Sequence, residues 1–248
     1  MSLTSQFVAN LKRFRLVTFD VTDTLLRLED PLLRYHRTAE EFGVTGVDRR
    51  RLEQCFRQQF KSMSREHPNF GRFSPGLEWQ QWWLRLVTQT FGCVDQGLPA
   101  EKLDRIGRQL IAHYRTKAGW NHVDGAQELV QCVRDAGKCV GIISNFDPSL
   151  PKVLDSMDFA GKFDFILTSY EAGVMKPHPG IFEIPLERLQ ITADQALHIG
   201  NKPDLDYEGA RNCGWSGLLV NGGTDGHHHS FATLSHLLEA LNTQQIQW

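Results

Sequence analysis

Hydrophobic and polar positions change rhythm three times along the chain. Residues 16–19 form a short apolar, β-prone run that stops abruptly at Asp20, which predicts a buried strand with a carboxylate at its C-terminal end. Over 30–117 the rhythm is helical. Asp30 stands as an N-cap, Pro31 takes the first helical position and Gly43 is a stop, as helix ends require. Further helices are predicted over 48–65, 76–91 and 100–115. Their apolar residues recur at three and four, as in Leu52, Cys55, Phe56, Phe60 and Met63, or Leu103, Ile106, Leu110 and Tyr114. After Asp124 strands and helices alternate. A helix over 126–135 ends at Gly137, and "KCVGIISN" reads as a strand ending at Ser144. A helix near 150–157, the strand "FDFILTS", a helix over 180–189 and the strand "ALHIG" follow. The helix "YEGARNCG", the strand "GLLV" and a last helix near 231–241 complete the pattern.

Strands separated by helices at this spacing imply an α/β fold with a parallel sheet covered on both faces. The helical stretch is an insertion, so the chain divides into a core of 1–29 with 118–248 and an all-helical unit of 30–117. In open parallel sheets ligands collect at the carboxyl ends of the strands. Asp20, Ser144, the loop at Lys176 and the loop at Asn201 all fall there, so four polar loops converge on one edge.

Composition narrows the function classes. The 248 residues carry 27 Lys and Arg against 29 Asp and Glu, a formal charge of -2. That balance gives no global attraction to phosphate backbones or anionic lipid, so a nucleic-acid binder is disfavoured. No run reaches the roughly 18 to 20 apolar residues of a membrane span, and the N-terminal segment lacks the pattern of a cleaved signal. The expectation is a cytoplasmic protein with no membrane partner. The five cysteines (Cys55, Cys93, Cys132, Cys139, Cys213) are odd in number and scattered. They are expected to be thiols in a reducing compartment, packed as small core residues.

The segment "FDVTDTLL" places Asp20 after the apolar strand and the Thr24 hydroxyl four residues on. With "VGIIS" at Ser144, "GVMKPHPGIF" at Lys176 and "HIGNKPDLDYEGA" from His198, the chain resembles the haloacid dehalogenase superfamily. The motifs stand in that family's order, with the helical insertion between the first two. The pair "FDVTDTLL" and "ISNFD" is closest to the branch named after the rhythmically expressed gene 2 protein. The resemblance implies a Rossmann-like, doubly wound core with a helical cap. It implies that Asp20 is the nucleophile that becomes an aspartyl-phosphate, a role suited to a group ionised at neutral pH. Thr24 would hold the nucleophile loop and contact the phosphoryl group. Ser144 would bind a phosphoryl oxygen, with Asn145 and Asp147 at the mouth of the site orienting substrate or forming a turn. Lys176 would neutralise charge on the nucleophile and the transferring group, in a loop that Pro177 and Pro179 stiffen. Mg²⁺ prefers oxygen ligands, with one or two carboxylates and several waters. Asp20, the Thr22 backbone carbonyl and Asp206 would supply them, with Asn201 as a further donor and Asp204 as an extra candidate.

Two positions depart from the family's phosphatases. Thr22 stands where they carry the acid that protonates the leaving group, and Asp23 follows where glycine is usual. Adjacent extended residues point in opposite directions, so Asp23 is not expected to replace the acid. Such an acid contributes about 10²- to 10⁴-fold. The family's cation-pumping ATPases also have Thr at the matching position. Asn201 replaces a second acid, which should weaken Mg²⁺ binding. The leading expectation is a Mg²⁺-dependent phosphatase or phosphotransferase acting on a small phosphorylated molecule. A catalytically impaired binding protein is the alternative, and a dehalogenase-type hydrolase a third. Trp79, Trp82, Trp83 and Phe91 are expected in the core or rim of the helical unit rather than as a base-stacking platform. His227 to His229 form no defined metal site, and Arg49 to Arg51 open a solvated helix.

Overall fold

Leu16, Val17 and Phe19 are wholly buried, because the strand they form has a parallel neighbour on each side. The computed structural model describes residues 4–220 and 229–248. Its strands are β1 (Leu16–Phe19), β2 (Leu26–Leu28), β3 (Trp120–His122), β4 (Cys139–Ser144), β5 (Phe165–Thr168), β6 (Ala196–Gly200), β7 (Ser216–Val220) and β8 (Ser230–Phe231). Six of them form one sheet in the order β5-β4-β1-β6-β7-β8, and β2 pairs with β3 separately. Each neighbouring pair in the larger sheet is parallel. The chain winds from β1 through β4 to β5 and then returns to the other side of β1 with β6. The winding direction therefore reverses at β1, and such a reversal opens a crevice at the carboxyl ends of the flanking strands.

The chain forms two compact units. The first comprises Met1–Arg27, Asn121–Asn145 and Met157–Trp248 and contains the sheet. Its core joins Leu16, Ile143, Leu167, Ile181, Phe182 and Trp215, apolar residues contributed by strands, by the helix Gly180–Leu189 and, for Trp215, by the position just before β7. The helix Ala126–Asp135 and β6 have the bounds that periodicity predicts. The final helix, Leu234–Thr243, begins later than expected, after the Thr233 cap, because Ser230 and Phe231 pair with β7.

The second unit is Leu28–Trp120 with Phe146–Ser156. Residues 146–156, which the alternating pattern assigned to the sheet, group with the helices instead. Its long helices are Pro31–Glu41, Arg49–Glu66, Trp79–Val94 and Ala100–His113. Asp30 accepts from the Leu33 N–H and Asp48 from the Arg51 N–H, which satisfies donors that a helix start leaves open. The third helix starts at Trp79 rather than near Gly76, because Glu78 and Gln81 form a capping box there. Arg49 pairs with Asp30 at 2.6 Å on an exposed surface.

Trp82 and Phe91 are buried, and Trp82 and Trp83 meet edge to face with centroids 4.9 Å apart. These aromatic rings pack the helices together. One expectation is corrected here: Cys55 and Cys93 are joined in a disulfide, while Cys132, Cys139 and Cys213 are free. The pair is 38 residues apart on two helices, so only helix packing brings the sulfurs together. His227 and His228 lie outside the described residues. No helix among the described residues is long and apolar enough to cross a membrane.

Candidate active site

Asp20 follows β1 directly, and its backbone N–H donates to Ile199 O at 2.9 Å. That bond continues the β1/β6 ladder by one residue and fixes the carboxylate at the strand end. Ser144 ends β4 on one side, and Asn201 follows β6 on the other. Parallel register thus brings residues far apart in sequence to one edge of the sheet unit.

Lys176 lies at the centre of this edge and is almost wholly buried. Its Nζ donates to Asp20 Oδ1 at 2.8 Å, Asp206 Oδ1 at 2.6 Å and Ile143 O at 2.8 Å. An ammonium has three N–H donors, and all three are used. Asn145 holds the lysine's backbone: its Nδ2 donates to Lys176 O at 3.0 Å, and its Oδ1 accepts from the Lys176 N–H at 2.7 Å. Both ends of that amide are therefore spent on the loop that carries Lys176. The Lys176–Pro177 peptide is cis.

Asp20 Oδ1 also accepts from the Ser144 hydroxyl at 3.0 Å. Its other oxygen, Oδ2, is 3.5 Å from Thr24 Oγ1, which is also 3.4 Å from Asn201 Oδ1. These are the outer limits of a hydrogen bond, and one hydroxyl has one proton to give. Asp20 Oδ2 and Asn201 Oδ1 therefore share a single weak donor.

Asp206 is almost fully buried in an irregular turn, Pro203–Tyr207. Its Oδ1 takes Lys176 and lies 3.3 Å from His198 Nε2, and its Oδ2 accepts from the Lys202 N–H at 2.9 Å. Gly200 is required beneath it, because a Cβ there would overlap the Asp206 side chain. Asp204, two residues earlier, is exposed.

Burial would raise the Asp206 carboxyl, but the Lys176 ammonium and the His198 hydrogen bond hold it below the usual carboxylate range. Burial likewise opposes charge on Lys176, yet Asp20 and Asp206 outweigh it and push the ammonium pKa up. Asp20 is raised by burial, with Lys176 pulling down and Asp206 pushing up. His198 is lowered mainly by burial, against the opposing pull of its Asp206 contact.

The loop after Asp20 departs from the sequence expectation. The N–H groups of Thr24, Leu25 and Leu26 all point to Val21 O, at 3.2, 2.9 and 3.0 Å. Asp23 is exposed with a φ of 61°, so the chain here is a tight turn and the alternation of an extended strand does not apply. The left-handed conformation explains why glycine suits that place and why Asp, which tolerates it, can stand there. Thr22 is half-buried. Asp147 belongs to the second unit, where its Oδ2 accepts from Trp83 Nε1 at 2.8 Å and its Oδ1 from the Ser149 N–H at 2.8 Å.

His198 was not among the candidates. The signal was present: "LVTF" and "ALHIG" are apolar strands interrupted once each, by Thr18 and His198, and buried polar groups need partners. The register pairs these two residues directly across β1 and β6.

Comparison with known proteins agrees with this geometry. Residues 14–214 match the model of the haloacid dehalogenase-like hydrolases. The chain is 38% identical over 234 residues to the rhythmically expressed gene 2 protein of Drosophila melanogaster, covering 91% of this chain and 87% of that one. It is 36% identical over 247 residues to the human haloacid dehalogenase-like hydrolase domain-containing protein 3, covering 95% and 96%. The fold is similar to that of the HAD-hydrolase YfnB from Bacillus subtilis, whose crystal structure is bound to magnesium. That likeness has a TM-score of 0.69 at 20% identity and covers 93% of this chain and 99% of the other. An aspartate at the end of the first sheet strand, a hydroxyl at the end of its neighbour and a lysine bridging two carboxylates thus sit within a matched span of about four-fifths of the sequence, and the chain belongs to the haloacid dehalogenase-like hydrolases.

Proposed function

We propose that this hydrolase is a Mg²⁺-dependent phosphatase or phosphotransferase that acts on a small phosphorylated molecule through an aspartyl-phosphate on Asp20. The observation that carries the reading is the meeting of the Ser144 hydroxyl and the Lys176 ammonium on Asp20 Oδ1. Both donors stand where a phosphoryl oxygen beside that carboxylate would need them.

The residues present fit a hard cation. Two buried carboxylates face one ammonium, which leaves one net negative charge before an anionic substrate arrives. Asp20 Oδ2 and Asn201 Oδ1 are buried oxygen acceptors that share one weak donor. Among the described residues no three His, Cys, Asp or Glu side chains form a metal cluster. The donor set would be Asp20, the Thr22 carbonyl and Asp206, with the Asn201 amide oxygen as a further donor, completed by water, as Mg²⁺ accepts. Asp206 also partners Lys176 through Oδ1, while its Oδ2 accepts a single hydrogen bond and keeps a lone pair for a cation. When bound, Mg²⁺ supplies charge neutralisation to the transferring phosphoryl group.

One oxygen of Asp20 attacks phosphorus, the bond to the leaving oxygen breaks, and the leaving group departs with the electron pair. Water, or an acceptor hydroxyl, then attacks phosphorus, the bond from phosphorus to the Asp20 oxygen breaks and restores the carboxylate, and the attacking group's proton leaves to solvent. Lys176 keeps its proton throughout, held by Asp206. Thr22 has no acidic proton to give at neutral pH, so substrates whose leaving groups are stable as anions, aryl and acyl phosphates, are favoured over alkyl phosphates. Release of p-nitrophenol from p-nitrophenyl phosphate, with and without Mg²⁺, tests the reading. Turnover should require Mg²⁺ and vanish in Asp20→Asn; a variant as fast as wild type would remove Asp20 from the nucleophile's role.

The absence of a leaving-group acid at Thr22 favours one second reading, binding of a phosphorylated ligand without chemistry. Calorimetry with Mg²⁺ and inorganic phosphate, alongside mass spectrometry for a trapped aspartyl-phosphate, separates the two. Binding with no trapped adduct selects the second.

A further inference from the structure

We propose that His198 is a positioning residue that holds Asp206 against Lys176, and that the Thr18 hydroxyl sets the imidazole tautomer which makes this possible. The inference deepens the phosphoryl-transfer reading and rests on it for its kinetic arm.

His198 sits in β6 with no solvent exposure. Its ring packs edge to face on Phe182, with centroids 5.5 Å apart. Each ring nitrogen has a polar neighbour: Nδ1 is 2.8 Å from Thr18 Oγ1, and Nε2 is 3.3 Å from Asp206 Oδ1. A neutral imidazole has one N–H donor and one acceptor nitrogen, and the neighbours decide which is which. Asp206 is a carboxylate that already accepts from Lys176 and the Lys202 N–H. An ionised carboxylate offers only lone pairs, so the hydrogen facing it must be on Nε2. Nδ1 is then bare and must accept.

Thr18 Oγ1 can meet that need, because its single proton can go to Nδ1 at 2.8 Å or to Leu197 O at 3.4 Å. The shorter contact takes it. The result is a directed chain: Thr18 O–H to His198 Nδ1, His198 Nε2–H to Asp206 Oδ1, and Lys176 Nζ–H to both Asp206 Oδ1 and Asp20 Oδ1. The ammonium and the imidazole converge on the same Asp206 oxygen, which leaves the carboxylate one orientation that satisfies both. Side chains that orient a directly acting group through such contacts commonly contribute 10- to 100-fold to binding or activity. Thr18 and His198 touch neither the nucleophile nor the leaving group, so their effect passes through Lys176.

Two measurements test this. In full-length protein labelled with ¹⁵N at histidine, long-range ¹H–¹⁵N correlation at neutral pH reads the tautomer without any need for turnover. The expected result is a protonated Nε2 and a bare Nδ1 for His198, with that preference weakened in Thr18→Val. A protonated Nδ1 in the wild type overturns the proposal. For the kinetic arm, p-nitrophenyl phosphate turnover is compared in His198→Leu and His198→Gln. Gln places an amide N–H near the position of Nε2 and should restore the bond to Asp206. Leu should lower kcat by about 10- to 100-fold with KM within about twofold of wild type, and Gln should recover most of the loss. A folded Leu variant with wild-type kcat, or Leu and Gln variants equally impaired, overturns the positioning role. If wild type shows no turnover of any phosphate ester, the phosphoryl-transfer reading fails instead, and the tautomer measurement alone decides the hydrogen-bond chain.

Discussion

Lys176 Nζ lies 2.6 Å from Asp206 Oδ1 and 2.8 Å from Asp20 Oδ1, with Asp206 the more deeply buried of the two carboxylates. The lysine is thus tied to a group that need not react as well as to the one proposed to do so. When Asp20 changes charge on forming an acyl phosphate, Asp206 still holds the ammonium in place.

Replacing Lys176 by Met leaves two buried carboxylates with no ammonium between them. Breaking a buried ion pair from one side costs about 3 to 5 kcal/mol, so chemical denaturation at pH 7 should show a loss of that order. The loss should shrink in acid. Asp206 is held below the usual carboxylate range, so its stabilisation is present above the unfolded value of about 3.9 and is lost as pH falls through the folded value. Lys176, raised above its usual value, contributes stability that is full below the unfolded pKa of about 10.4 and lost as pH rises through the folded one. An unchanged stability in Lys176→Met at neutral pH would show that the pair adds nothing.

Thr22 can be given the missing acid. Thr22→Asp should speed hydrolysis of alkyl phosphates by about 10²- to 10⁴-fold and change aryl phosphates far less, since good leaving groups need no proton. A leaving-group series measured for both proteins reads this directly; parallel gains across the series would contradict it.

Asn201→Asp adds a carboxylate at the Thr24 hydroxyl that Asp20 Oδ2 also approaches. Mg²⁺ affinity, measured by isothermal titration, should tighten, while the protein without metal should lose stability because a third buried anion joins the site. Equal Mg²⁺ affinity in both forms would argue that Asn201 lies outside the metal's reach.

Asn10 ties the N-terminal helix Ser5–Asn10 to the chain's end. Its Nδ2 donates to Leu241 O and Gln244 O at 2.8 Å each, and its Oδ1 accepts from the Ile246 N–H at 2.9 Å. Asn10→Ala removes these three contacts and a fourth, from Gln6 Nε2 to the same Oδ1 at 3.4 Å, at a buried position. The expected cost is about 1 to 3 kcal/mol, seen as a lower denaturation midpoint with unchanged kinetics. A stability within experimental error of wild type would mean that water replaces the amide.

Much of the sheet was legible because its central strands β1, β4 and β6 are buried almost throughout and bounded by turn residues. The runs at Leu16, Val140 and Leu197 could be read from residue type alone, and the helices at Ala126 and Gly180 from period and caps. The short pieces were not legible: β2, β3 and β8 have only two or three residues each, too few for any period to appear. Nor did periodicity suggest the disulfide between Cys55 and Cys93.

By itself, the sequence determined the order of strands and helices and the residue types near the strand ends: Asp20 directly follows an apolar run, Ser144 closes one, and Lys176 and Asp206 lie in the polar segments beyond β5 and β6. The tertiary structure decided what each does locally. It turned Asn145 onto the Lys176 backbone, left Asp204 exposed, placed Asp147 beside Trp83, and set Thr18 opposite His198. The physical reason is that periodicity reports which face of an element is buried, whereas a hydrogen bond depends on two atoms meeting within about 3 Å. Parallel register across β1 and β6 makes that meeting for Thr18 and His198, residues 180 apart in the chain.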